Sequence, residues 1–144
     1  MEISNKRFLT DLSNYNHDIQ KIQDCANSPA PSMLQIKNDK GIQLALDFIT
    51  LQLIRLNELL NLSRSMNNAQ IEFVSNQILK DYPLNQLKST DIKFVFDEIL
   101  SGKHGKMYGS IDPPFIISCL RNHFNNRSEF SGMQSASLSI QHKQ

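Results

Sequence analysis

The residues best equipped for chemistry lie between Ser89 and Arg127. Gly102-Lys103-His104-Gly105-Lys106 places glycines, lysines and a histidine in five consecutive positions. Glycines let the backbone approach a ligand closely, and lysines meet phosphate oxygens. The spacing is not that of a nucleotide-binding P-loop, which sets four residues between its glycines, follows the lysine with Ser or Thr, and joins a strand to a helix. Here two residues separate the glycines, Met107 follows the lysine, and a helical pattern precedes. The G-x-x-G of a KH domain fits the same residues and clamps a nucleic-acid backbone, but the flanking strands such a domain needs are not found. Lys93, Tyr108, Arg121 and Arg127 could add charge and a stacking ring on one side of the same region. With Lys103, His104 and Lys106 they form the candidate site for nucleic acid or a nucleic-acid-processing protein. The plainer alternative is a glycine-permitted turn with solvated lysines and Tyr108 packed beneath it.

Other chemistries argue themselves down. Cys119 and His123 stand four apart on one helix face and could share zinc. Cys25, His17, His104 and His142 supply no second pair at ligand spacing, so a core cysteine beside a satisfied histidine is expected, with no metal and no cofactor. Apolar neighbours raise rather than lower the Cys119 thiol pKa, which disfavours a nucleophile. No serine sits in a nucleophile-elbow setting. Asp91, Asp97 and Glu98 are expected on the outer face of their helix as a solvated edge. No catalytic residue, and hence no enzyme, is expected.

The elements that must position the turn read as helices. Apolar residues Ile3, Phe8, Leu12, Tyr15, Ile19 and Ile22 predict one amphipathic helix over 3–24, weakened by Asn14 and Asn16. Asn27 to Ser32, with Pro29 and Pro31, reads as a surface loop. A long helix from about Asp39 to Leu62 is apolar over more than one face, which marks a buried core helix or a subunit interface. After a polar joint, Asn67 and Gln70 form a capping box for a helix over about 69–81, ended by Tyr82-Pro83. Leu84 and Leu87 are expected to pack across the short connection. Ser89 or Thr90 caps the next helix, whose stripe is Ile92, Val95, Phe96, Ile99 and Leu100, and Gly102 lies just past its end. Asp112-Pro113 starts the last helix, with Phe115, Ile116, Cys119, Leu120, His123 and Phe124 on one face and an end near Arg127. Residues 128–144, rich in Ser and Gln, are expected to be a disordered tail.

These elements sum to an all-α fold: a single compact domain of about five helices over 1–127, ending in a helical hairpin. The 144 residues suit one domain, and 40% apolar with 20% charged residues is an ordinary globular balance. A net charge of +1 gives no overall pull toward nucleic acid or an anionic membrane, so an electrostatic partner must be met locally. Residues 1–87 hold 8 basic against 9 acidic side chains, and residues 88–127 hold 6 against 4, so the positive excess lies in the hairpin. Two distant cysteines and no secretory signal point to a reduced, cytoplasmic setting. The stretch Ile42–Leu62 is too often interrupted by polar residues to span a membrane.

The sequence from Ile78 to Arg127 resembles small, mostly uncharacterised helical proteins of Bacteroidota phages and mobile elements. The shared features are I-L-x-x-Y-P at Ile78 to Pro83, L-K-x-x-D-I at Leu87 to Ile92, S-G-K-x-G-K-x-Y at Ser101 to Tyr108, Ile111-Asp112, and Arg127. The resemblance covers about residues 66–127. Pro113-Pro114 stands where a Gly-Gln-like pair is usual, and Cys119 where Trp is common. It implies a phage-type accessory protein associated with replication, of helicase-loader or inhibitor type. The alternative function is a virion component or host-directed inhibitor, with Ile42–Leu62 as the interface of a homo-oligomer or partner complex.

Overall fold

The computed structural model of the protein describes the backbone of residues 3–107 and 109–142, and the side chains of residues 5–107 and 109–128. Helices α1 (Ile3–Asn14), α2 (Ile22–Asn27), α3 (Met33–Lys40), α4 (Ile42–Leu60), α5 (Asn68–Lys80), α6 (Ser89–Leu100) and α7 (Pro113–His142) follow in order, with no strand among the described residues. None of these helices is long and apolar enough to cross a membrane.

The extra helices come from two places where short-range chemistry overrode the apolar period. The expected helix over 3–24 is interrupted: α1 gives way to a 3-10 turn at Tyr15–Asp18 and an extended Ile19. Asn14, Asn16 and Asp18 are poor helix formers. Asp24 then draws the chain into a new helix start, its carboxylate accepting from the backbone N–H of Gln20 at 2.9 Å and of Lys21 at 3.0 Å. Those two bonds hold the Asp24 carboxyl below the usual carboxylate range. The second departure is α3, which forms between the loop expected at 27–32 and the helix expected from about Asp39, where no element was assigned. Ser32 caps it through Gln35 N–H at 3.1 Å, and Gln35 Oε1 returns the bond to Ser32 N–H at 2.8 Å. Gly41, at φ +99°, separates α3 from α4, so α4 starts at Ile42 rather than near Asp39.

Helix α4 is the centre of the bundle and packs on α3, α5 and α6. It buries Leu44, Ala45, Phe48, Ile49, Leu53 and Leu56, which agrees with its many-faced apolar pattern. Asn67 and Gln70 form the expected capping box of α5, which buries Ile71, Val74, Ile78 and Leu79 while Phe73 is exposed. Leu84 and Leu87 are fully buried in the connection to α6. The Pro29–Ser32 segment is more than a surface loop: Ala30 is buried, Ser89 N–H donates to Pro31 O at 3.0 Å, and Met33 N–H donates to Leu87 O at 2.9 Å.

Helices α6 and α7 pack as the expected hairpin. Asp112 caps α7 by accepting from Phe115 N–H at 3.2 Å, behind Pro113 at the first helical position. Helix α7 runs to His142, past the end expected near Arg127. The expected tail 128–144 falls almost wholly outside the described side chains. Leu12, Ile36, Phe48, Leu53, Val74, Ile78, Phe96, Ile116 and Leu120 belong to one cluster of buried apolar side chains, to which α1 and α3 to α7 all contribute.

Candidate functional site

The basic turn is built from the C-terminus of α6 outward. Gly102 N–H donates to Ile99 O at 3.2 Å and Lys103 N–H to Glu98 O at 3.1 Å, the paired bonds of a Schellman cap. The cap needs a left-handed residue at its centre, and Gly102 supplies it with φ +86°. Beyond it, Lys103 and Lys106 are exposed and His104 is half-buried. Glu98 stands beneath, 3.5 Å from Lys103 Nζ and 3.4 Å from His104 Nε2, and offsets part of the Lys103 charge.

A second loop, from a distant part of the sequence, is joined to this turn. Arg64 N–H donates to Gly109 O at 2.8 Å and Ile111 N–H donates to Arg64 O at 3.4 Å. Ser63 Oγ adds a bond to Gly109 O at 3.2 Å. Gly109 has φ +83°, a backbone angle that glycine adopts without strain, while a Cβ there would only touch Ser63 Oγ at 3.4 Å. The backbone of Arg64, whose side chain is exposed, is thereby joined to the segment that follows Lys103 and Lys106. Neither Arg64 nor Lys106 makes an ion pair among the described residues. Sequence reasoning passed over Arg64 because nothing local links a joint after α4 to a turn after α6.

The other candidates lie elsewhere. Lys93 pairs with Asp97, which also takes Arg55 at 3.1 Å. Arg121 faces Asp81, at the end of α5 away from the joint, at 3.6 Å. Arg127 is drawn into the interior. Tyr108 lies outside the described residues.

That interior holds an unexpected charged cluster. Asp91 is not on an outer face: it is fully buried. Its Oδ2 accepts from Lys88 N–H at 2.8 Å, closing the first turn of α6, and also from Arg127 Nη1. Its Oδ1 lies 2.7 Å from His123 Nε2. The expected cap is corrected too: Lys88, not Ser89 or Thr90, is the N-cap residue, and both hydroxyl side chains are buried. Lys88 turns its ammonium to the carbonyls at and just past the end of α2, donating to Cys25 O, Ala26 O and Ser28 O at 3.2, 3.0 and 2.8 Å. Burial, with the Arg127 charge next, pushes the Lys88 ammonium below its usual range. Phe94 and Phe124 cover the cluster, their rings 5.5 Å from the His123 ring and 5.2 Å from the Arg127 guanidinium.

Cys25, Asp91 and His123 come within 4.8 Å of one another, a set that invites a metal. Their chemistry fits ion pairing better. Ligand bonds of about 2.1 Å in a tetrahedral site would put histidine nitrogen and carboxylate oxygen about 3.4 Å apart. The observed 2.7 Å is a direct hydrogen bond, and Arg127 and Lys88 N–H take the other oxygen. A buried Cys–His–Asp grouping also suggests nucleophilic chemistry, but burial, with the Asp91 charge second, raises the Cys25 thiol to about 12 and leaves it inert near neutrality. His123 is a satisfied core histidine, as the helix pattern led one to expect, and Cys119 beside it is buried with its thiol raised by burial.

The chain matches no family model, no curated protein and no solved structure.

Proposed function

We propose that the protein is a non-enzymatic accessory protein that contacts nucleic acid, or a protein working on nucleic acid, through its basic loop end. The phage or mobile-element setting and the helicase-loader or inhibitor type follow from the resemblance at residues 66–127. The observation that carries the contact is the joining of Arg64 to Gly109 and Ile111, which adds a third exposed cation to Lys103 and Lys106. Glycines at 102, 105 and 109 keep side-chain bulk off the turn, so its backbone can come near a phosphate. Three cations supply a modest, salt-sensitive affinity. Titration of labelled single- and double-stranded DNA with the R64A/K103A/K106A variant tests the reading: binding at low salt should be lost. Undiminished binding would sink direct contact.

The second reading, an interaction module, is favoured by the apolar side chains that α4 leaves in solvent, Ile42, Leu51, Ile54 and Leu59. A stable oligomer in light scattering, without DNA binding, would support it.

A further inference from the structure

A groove of about 440 Å³ separates α4 from α5. Leu46, Ile54 and Ile71 give it an apolar floor among polar side chains such as Asn68 and Asn76, and each wall carries a carboxylate, Asp47 on α4 and Glu72 on α5. Among the described residues no lysine or arginine lines it, and neither carboxylate has a cationic partner. Asp47 is held in place by Gln43 Nε2 at 2.9 Å, and Glu72 is exposed. A hydrogen bond of 3.2 Å between Thr50 Oγ1 and Ser75 Oγ ties the two helices together beside the opening, so the groove is preformed. Ile42, Leu46, Thr50 and Ile54 recur every fourth residue along α4, a row about 18 Å long at 1.5 Å per residue. Ile42 and Ile54, at its ends, are 53% and 39% exposed.

A row of that length beside a second helix is the geometry in which a third, amphipathic helix lays its apolar face. The unpaired carboxylates select which helix. An occupant with lysine or arginine beside its apolar face gains two ion pairs, whereas a nucleic acid would be repelled. A second copy docked about a two-fold axis would set Asp47 and Glu72 against the same residues. We propose that the α4–α5 groove docks a basic amphipathic helix of a partner protein, with apolar residues at i, i+3 or i+4, and i+7. This surface shares no lining residue with the basic loop end proposed to meet phosphate, so the two contacts would use different side chains.

A fluorophore-labelled helical peptide of leucine and lysine, with leucines on one face, tests this against the same peptide with glutamate in place of lysine. Anisotropy titrations with the full chain should show the lysine peptide binding and the glutamate peptide failing to bind. Glu72→Lys should weaken the lysine peptide by about tenfold or more, as reversal of a facing charge does. D47N/E72Q, which keeps side-chain shape, should weaken it in the same direction and guards against a folding defect in the first variant. R64A/K103A/K106A should bind the peptide as the parent does, which separates this surface from the DNA-contacting end. Equal binding of both peptides, unchanged affinity in the two groove variants, or loss of peptide binding in the loop variant would each overturn the proposal.

Discussion

Asp91 serves two helices at once. Its carboxylate closes the start of α6 through Lys88 N–H and receives His123 and Arg127 from α7, so its removal leaves three groups without their partner. Breaking a buried charged network by deleting one partner costs about 3–5 kcal/mol. Asp91→Ala should lose that much in urea unfolding, a large share of the ~5–15 kcal/mol that holds an ordinary domain. A loss below about 1 kcal/mol would mean that the carboxylate is solvated. Cys25 gives the cluster a pH signature. Burial pushes its thiol up from 9.0 to about 12, so its contribution to stability is whole below about pH 9 and is lost as pH rises toward 12. Cys25→Ala should flatten the alkaline fall in stability relative to the parent protein. The burial of Asp91 was only faintly visible in the sequence. It directly precedes Ile92 and stands four residues before Val95, at the border of the buried stripe, and Arg127 continues the His123 row by one turn. A first-turn acid is equally at home in solvent, and only the antiparallel approach of α7 decides between the two.

At the scale of elements, the legible features were those whose signal is local. The Asn67–Gln70 box, the Asp112-Pro113 start and the Gly102 cap each appear where residue types alone put them. Gly102→Ala keeps open space around the new Cβ but forces alanine to φ +86°, so it should cost about 1 kcal/mol in thermal or urea unfolding without altering helix content. The break between α1 and α2 and the whole of α3 were not read correctly. In the first, an apolar period ran on through a stretch where Asp24 had a better use for the backbone N–H groups of Gln20 and Lys21. In the second, Ser32 and Gln35 set the cap of a helix only eight residues long, too short to show an apolar period.

For the whole molecule, charge is sorted by face rather than by total. A net charge of +1 conceals a loop end bearing Arg64, Lys103 and Lys106 and an α4–α5 groove lined by Asp47 and Glu72. That Lys103, His104 and Lys106 share one glycine-bounded turn was legible in the sequence, whereas the place of Arg64 was not, because it depends on a bridge between positions 64 and 109–111. Lys93, Arg121 and Arg127 were grouped with the turn by sequence proximity and are engaged with Asp97, Asp81 and Asp91. The central claim is that Arg64, Lys103 and Lys106 contact phosphates together, and the salt dependence of DNA binding measures it most directly. Each duplex phosphate neutralised contributes about 0.9 to the slope of log K against log salt, so the parent protein should show a slope of roughly −3, reduced by about one for each single alanine variant. A slope that stays the same in all three single variants would contradict the account.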